Sequence, residues 1–163
     1  MLAGMGNTDN YIQIMTESLI MKKSVLEKLV VLNDEQKALI GAEDFDGSAF
    51  QDNIDKKSAL VDEINRLDNG FDELFCRVRE TLEADKENYS QEINRFKSLI
   101  RDVTELSVKV EAGEARNRKL VDERFAELKK GVQSAKRSSQ MANTYYQNMN
   151  RLDDAPQFMD QKK

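Results

Sequence analysis

The sequence predicts an all-α protein, an antiparallel helical bundle or coiled coil of three to four helices that ends in a long C-terminal helix. Two observations predict it. Ala, Glu, Lys, Leu and Arg dominate against a single proline in 163 residues, a balance that favours long helices and gives a sheet too few turns. Charged residues make up 34% and aromatics 7%, with no tryptophan, which suits exposed helical surface better than several packed layers.

The first helix is expected to start at Thr8 or Asp9, either of which can cap it, after a disordered N-terminus over residues 1–8. Ile12, Met15, Leu19, Leu26 and Leu29 lie three, four and seven apart and so share one stripe. Gly41 ends this helix, and the acidic segment Gly41–Gly47 is short enough to make the next helix antiparallel. The second helix opens at Asp46 or Ser48 and shows Phe50, Ile54, Leu60, Val61, Ile64 and Leu67. Asp68-Asn69-Gly70 is a break signal, so Phe71, Leu74, Phe75, Val78 and Leu82 form either a short third helix or a continuation of the second. The apolar pattern lapses over Ala84–Asn88, where the chain is expected to turn again.

From Tyr89 a seam advances by four and three without a phase break: Ile93, Phe96, Ile100, Val103, Ser107, Val110, Glu114, Asn117, Val121, Arg124, Leu128, Gly131, Ala135, Ser138, Ala142, Tyr145 and Met149. A register held that long marks one continuous coiled-coil-like helix. At 1.5 Å per residue it reaches roughly 90 Å against roughly 50 Å for the first helix, so earlier helices are not expected to cover all of it. The seam is large and apolar to Val110, polar at Glu114 and Asn117, and small from Gly131 to Ala142, with Leu120, Phe125, Val132 and Tyr146 widening it. The expected organisation is a bundle over 9–113 that includes the first half of the long helix, an amphipathic second half over 114–151, and a mobile tail over 152–163 that begins at the Asp153-Asp154-Ala155-Pro156 stop.

Several function classes are excluded by what the sequence lacks. There is no histidine, no cysteine cluster and no glycine-rich phosphate loop, so neither a catalytic site nor a cofactor or metal site is expected. The acidic stretch Glu43–Gly47 lacks the ligand spacing of a calcium loop. Cys76 is the one cysteine and cannot form an internal disulfide, which fits a reducing compartment. No signal-like N-terminus and no long apolar run are present, so a soluble cytoplasmic protein without stable membrane insertion is expected.

Residues 1–113 carry 14 Lys+Arg against 23 Asp+Glu, and residues 114–163 carry 11 against 7. An acidic body with a basic C-terminal part can meet an acidic partner, but the cations are spread and no aromatic platform accompanies them, which argues against nucleic acid. Arg116–Arg151 holds 9 Lys+Arg against 3 Asp+Glu, yet its apolar face lacks tryptophan and is poor in large residues, which argues against a membrane-surface helix.

The stretch Glu111-Ala112-Gly113-Glu114-Ala115-Arg116-Asn117-Arg118-Lys119-Leu120-Val121 resembles the helical signature of the FlgN-type flagellar export chaperones, in which a long last helix carries a Glu/Asn, Arg-Asn, then Leu pattern midway. The order of parts is also similar, as are Tyr145-Tyr146 and the closing Gln157–Lys163 to clostridial-type members. The connection Phe71–Leu82 lacks the prolines common in proteobacterial members. The resemblance implies a cytoplasmic chaperone that keeps flagellar hook-associated (hook–filament junction) proteins unassembled and delivers them to the flagellar type III export apparatus. It leaves open a contact with the export ATPase or export gate, and a homodimer.

In that family the client is bound by the C-terminal helical region, which here places the contact on Val121, Phe125, Leu128, Val132, Ala135, Ala142, Tyr145, Tyr146 and Met149. Glu114, Arg116 and Asn117 are read as polar contacts that set helix register. Two alternatives remain at this point. The stripe from Phe125 to Met149 becomes ordinary core if the helix breaks at Gly131 and folds back or dimerises. The long helix can also serve a structural coiled-coil homo-oligomer or a general helical adaptor.

Overall fold

The computed structural model describes residues 2–149, with side chains over 7–149. Its elements are α1 (Leu2–Gly41), α2 (Gly47–Ala84) and α3 (Ser90–Met149), and no strand occurs among the described residues. None of these helices is long and apolar enough to cross a membrane. The chain divides into two units, Met1–Leu120 and Val121–Lys163.

The first unit is an all-α three-helix bundle, and its side-chain bonds give the directions. Ser18 reaches the Leu67 carbonyl and Lys22 reaches Asp68, while Asn53 reaches the Leu32 carbonyl, so α2 runs antiparallel to α1. Lys23 pairs with Asp102 and Asn117 bonds the Asn33 carbonyl, so α3 runs parallel to α1.

The core is stacked in layers along this axis. Ile12, Met15 and Leu19 from α1 meet Val78 and Leu82 from α2, Tyr89 from the turn and Phe96 from α3. One level on, Leu26, Leu29 and Val103 are buried, with Leu60, Ile64, Leu106 and Val110 packed around them. Each such side chain removed from water contributes about 1.5–3 kcal/mol before chain entropy is set against it. The next level is polar rather than apolar: Asn33, Gln36, Asn53, Lys57 and Asn117 are all buried there.

Local chemistry sets the helix ends. Asp46 stands in extended backbone and its side chain accepts from the Ala49 N–H at 3.0 Å, which caps α2. At the other end the Asp85 N–H donates to the Thr81 carbonyl at 3.1 Å, and Asn88 bonds both Asp85 carboxylate oxygens within the turn to α3. The turn, residues 85–89, therefore overlaps the stretch where the apolar pattern lapses and runs one residue past it.

Two boundaries differ from those the sequence suggests, and a third, which it left open, is settled. Helix α1 begins at Leu2 and not at Thr8 or Asp9, so residues 2–8 lie in its first turns. Thr8 is buried and stands four before Ile12 and seven before Met15, so it extends the stripe toward the N-terminus instead of capping the helix. Helix α2 continues through Gly70, because Leu67 on one side is buried and Phe71 and Leu74 on the other pack against the first core layer, which offsets a glycine cost of about 1 kcal/mol. The units divide at Leu120, beyond the 113/114 boundary read from the sequence, because residues 113–117 are tied into the bundle. Met1, the end of the amphipathic half at residues 150–151 and the tail over 152–163 lie outside the described residues.

Candidate partner-binding site

The residues singled out on α3 fall into two groups with different environments. Gly113, Glu114, Arg116 and Asn117 belong to the polar level of the bundle. Asn117, 1% exposed, donates to the Asn33 carbonyl at 2.8 Å and to Gln36 Oε1 at 2.9 Å. Its own side-chain oxygen accepts from Arg116 Nε at 3.0 Å. Arg116 extends over α1 to the Asn33 carbonyl at 3.2 Å and Asp34 at 3.4 Å. Lys57 Nζ from α2 donates to Gln36 at 3.1 Å and sits 2.8 and 2.7 Å from the two Glu114 carboxylate oxygens. Asn33 in turn donates to the Val110 carbonyl at 3.2 Å.

Gly113 is buried where α3 passes closest to Asn33, since a Cβ built on it would lie 2.9 Å from Asn33 Nδ2. Only a glycine lets the α3 backbone approach the Asn33 amide this closely. All three helices thus meet in one directional network. A slip of one helical turn, about 5.4 Å, would carry every donor beyond hydrogen-bond reach of its acceptor. The network orders the bundle and offers no open chemistry. Asn33, Gln36, Asn53 and Lys57 were not singled out from the sequence, although each carries a signal. Asn33 and Gln36 follow Leu29 by four and seven, and Asn53 and Lys57 precede Leu60 by seven and three, so polar residues occupy core phase.

The second group lies in the second unit. Val121 is half-buried, whereas Phe125, Leu128, Val132, Ala135, Ala142, Tyr145, Tyr146 and Met149 are exposed. Phe125 and Leu128 are 45% and 41% exposed, and Val132, Tyr145, Tyr146 and Met149 are all above half. At 100° per residue, Val121, Phe125, Leu128, Val132, Ala135, Ala142 and Tyr146 share an arc of about 100°. Met149 lies at its edge. Tyr145 points about 100° away from Tyr146, and their rings meet edge-on at 5.7 Å between centroids. Helix α3 does not break at Gly131.

The charge around this face is one-sided. Leu128–Met149 holds Lys129, Lys130, Lys136 and Arg137 and no acidic residue. By the same rotation Lys129 and Lys136 border one flank of the apolar arc. A face of this kind can bind another amphipathic helix by burying its apolar arc and pairing its flank. Among the described residues no group of His, Cys, Asp or Glu side chains is placed to hold a metal ion, and Cys76 is exposed.

Comparison of this chain with family models, with curated proteins and with solved structures found no match.

Proposed function

We infer that this chain is a non-enzymatic export chaperone of the FlgN type. It binds the C-terminal helical segment of a flagellar hook-associated protein along the Val121–Met149 face, prevents premature assembly in the cytoplasm, and delivers the client to the flagellar type III export apparatus. The observation that carries this reading is the continuous run of exposed apolar side chains on α3 between Phe125 and Met149. Isolated exposed apolar residues are common, but a face repeated over several turns needs an occupant. The Glu114-Ala115-Arg116-Asn117 motif supports the family side of the reading.

Binding strength would come from a few large side chains. Burying Phe125, Leu128, Val132 and Tyr146 contributes about 1.5–3 kcal/mol each, against the cost of association and of ordering the client. Calorimetric titration of a junction-protein C-terminal peptide should give close to one site per chain. Phe125→Asp or Leu128→Asp should weaken it by roughly 100-fold or more, since each removes apolar burial and desolvates a carboxylate. Helical content and unfolding of the first unit should stay unchanged. Loss of the whole fold in either variant, or unchanged binding in both, would sink the assignment of the face.

The unbroken four-three spacing of the seam favours one further reading, a permanent coiled-coil homo-oligomer. An oligomer that persists at nanomolar concentration and ignores the client peptide would select it.

A further inference from the structure

Within the first unit, α2 and α3 are separated by a groove of about 500 Å³. Its apolar lining includes Leu19, Leu67 and Val103, which are buried, and Phe71, Ile100 and Val108, the last two 46% and 61% exposed. Its rim carries Asp68, Asp72 and Glu111. Asp68 is paired with Lys22 at 2.6 Å, while Asp72 and Glu111 form no ion pair among the described residues. A three-helix bundle with a partly apolar, acid-rimmed slot between two of its helices has the form of a four-helix bundle lacking one member.

A helix suited to that slot needs an apolar face bordered by cations. The run Leu128–Tyr146 has both, and Lys129 and Lys136 likewise form no ion pair among the described residues. Small residues at Ala135 and Ala142 permit close approach of helix axes. A second groove, of about 640 Å³ between α1 and α2, is more apolar, but Lys28 and Lys56 line it against the single carboxylate Glu27, so on balance it repels the same flank.

We propose that the α2/α3 groove of one copy takes the Leu128–Tyr146 face of a second copy, with Lys129 and Lys136 opposite Asp72 and Glu111. Given in both directions, the exchange closes a twofold pair. The pair does not depend on the client reading, and a client seated on the same face would compete with it.

The test needs no partner: light scattering on the full chain from micromolar to millimolar concentration. The wild-type molar mass should rise to twice that of the chain, and half-molar salt should raise the dimer Kd about tenfold or more by screening the exposed pairs. Asp72→Lys/Glu111→Lys should remain monomeric where wild type is dimeric, and so should Lys129→Glu/Lys136→Glu. Mixed one to one, the two variants should recover the dimer, because each contact in the mixed pair again joins opposite charges. The recovery also shows that both variants are folded. A wild-type monomer at every concentration, variants that dimerise like wild type, or a mixture that stays monomeric would each overturn the proposal. Client binding by a strictly monomeric chain would overturn it while leaving the chaperone reading intact.

Discussion

Gly113 shows how one missing side chain can organise a bundle. Its Cβ would stand 2.9 Å from Asn33 Nδ2 and 3.3 Å from Asn33 Cβ, and Asn33 is held by its bond to the Val110 carbonyl. Asn33 cannot yield without giving up that bond. Gly113→Ala should therefore lower stability by roughly 1–2 kcal/mol, as overpacking outweighs the helix-propensity gain. Gly70, with nothing within 4 Å of its Cβ position, is the control. Gly70→Ala should raise stability by about 1 kcal/mol, with urea unfolding as the measure for both. Equal effects in the two variants would remove the close approach as the reason for glycine at 113.

Tyr89 makes stability depend on pH. Burial raises its phenol pKa, and the carboxylates of Asp9, Asp85 and Glu92 raise it further. The fold therefore holds the phenol proton more tightly than the unfolded chain, which releases it near pH 10. The contribution is fully present below about pH 10 and is lost as pH rises from there through the raised folded value. Tyr89→Phe should flatten that part of the alkaline decline, seen as a smaller stability difference between pH 9 and pH 11 than in wild type. An identical decline in the two proteins would assign it to other groups.

At the scale of elements, the caps and stripes account for most of what is ordered. Asp46→Ala should destabilise the bundle by about 1 kcal/mol by leaving the Ala49 N–H without its acceptor, again by urea unfolding. How far the sequence disclosed each helix depended on what filled its inward face. The α1 stripe was legible because Ile12, Met15, Leu19, Leu26 and Leu29 are all apolar and all buried. The α2 stripe was legible only in part: Leu67, Val78 and Leu82 are buried and Leu60, Ile64, Phe71 and Leu74 pack against the core, but Asn53 and Lys57 are buried while Ile54 and Val61 are exposed. Apolarity alone pointed to the wrong side of that turn. On α3 the seam positions Phe96, Val103 and Asn117, spaced by multiples of seven, are buried and Val110 is half-buried, but Ile100 opens into the α2/α3 groove. A four-three pattern identifies a wide face without saying how many neighbours share it.

For the molecule as a whole, the two units differ in kind. The first has layered apolar cores closed by a polar level that joins three helices. The second presents its large apolar side chains, Phe125, Leu128, Val132, Tyr145, Tyr146 and Met149, as exposed groups. The identity of these residues was legible from spacing, because a helix with no partner still keeps its period. The occupant of the face was not legible, since chemistry on one side of a contact specifies only the kind of partner it accepts.

Amide hydrogen exchange on the full chain, with and without the C-terminal segment of a hook-associated protein, tests the central claim most directly. The account predicts slowed exchange across Val121–Met149 on binding, and unchanged exchange at the buried residues of the first unit. Protection that appears in the first unit while Val121–Met149 exchanges as before would contradict it.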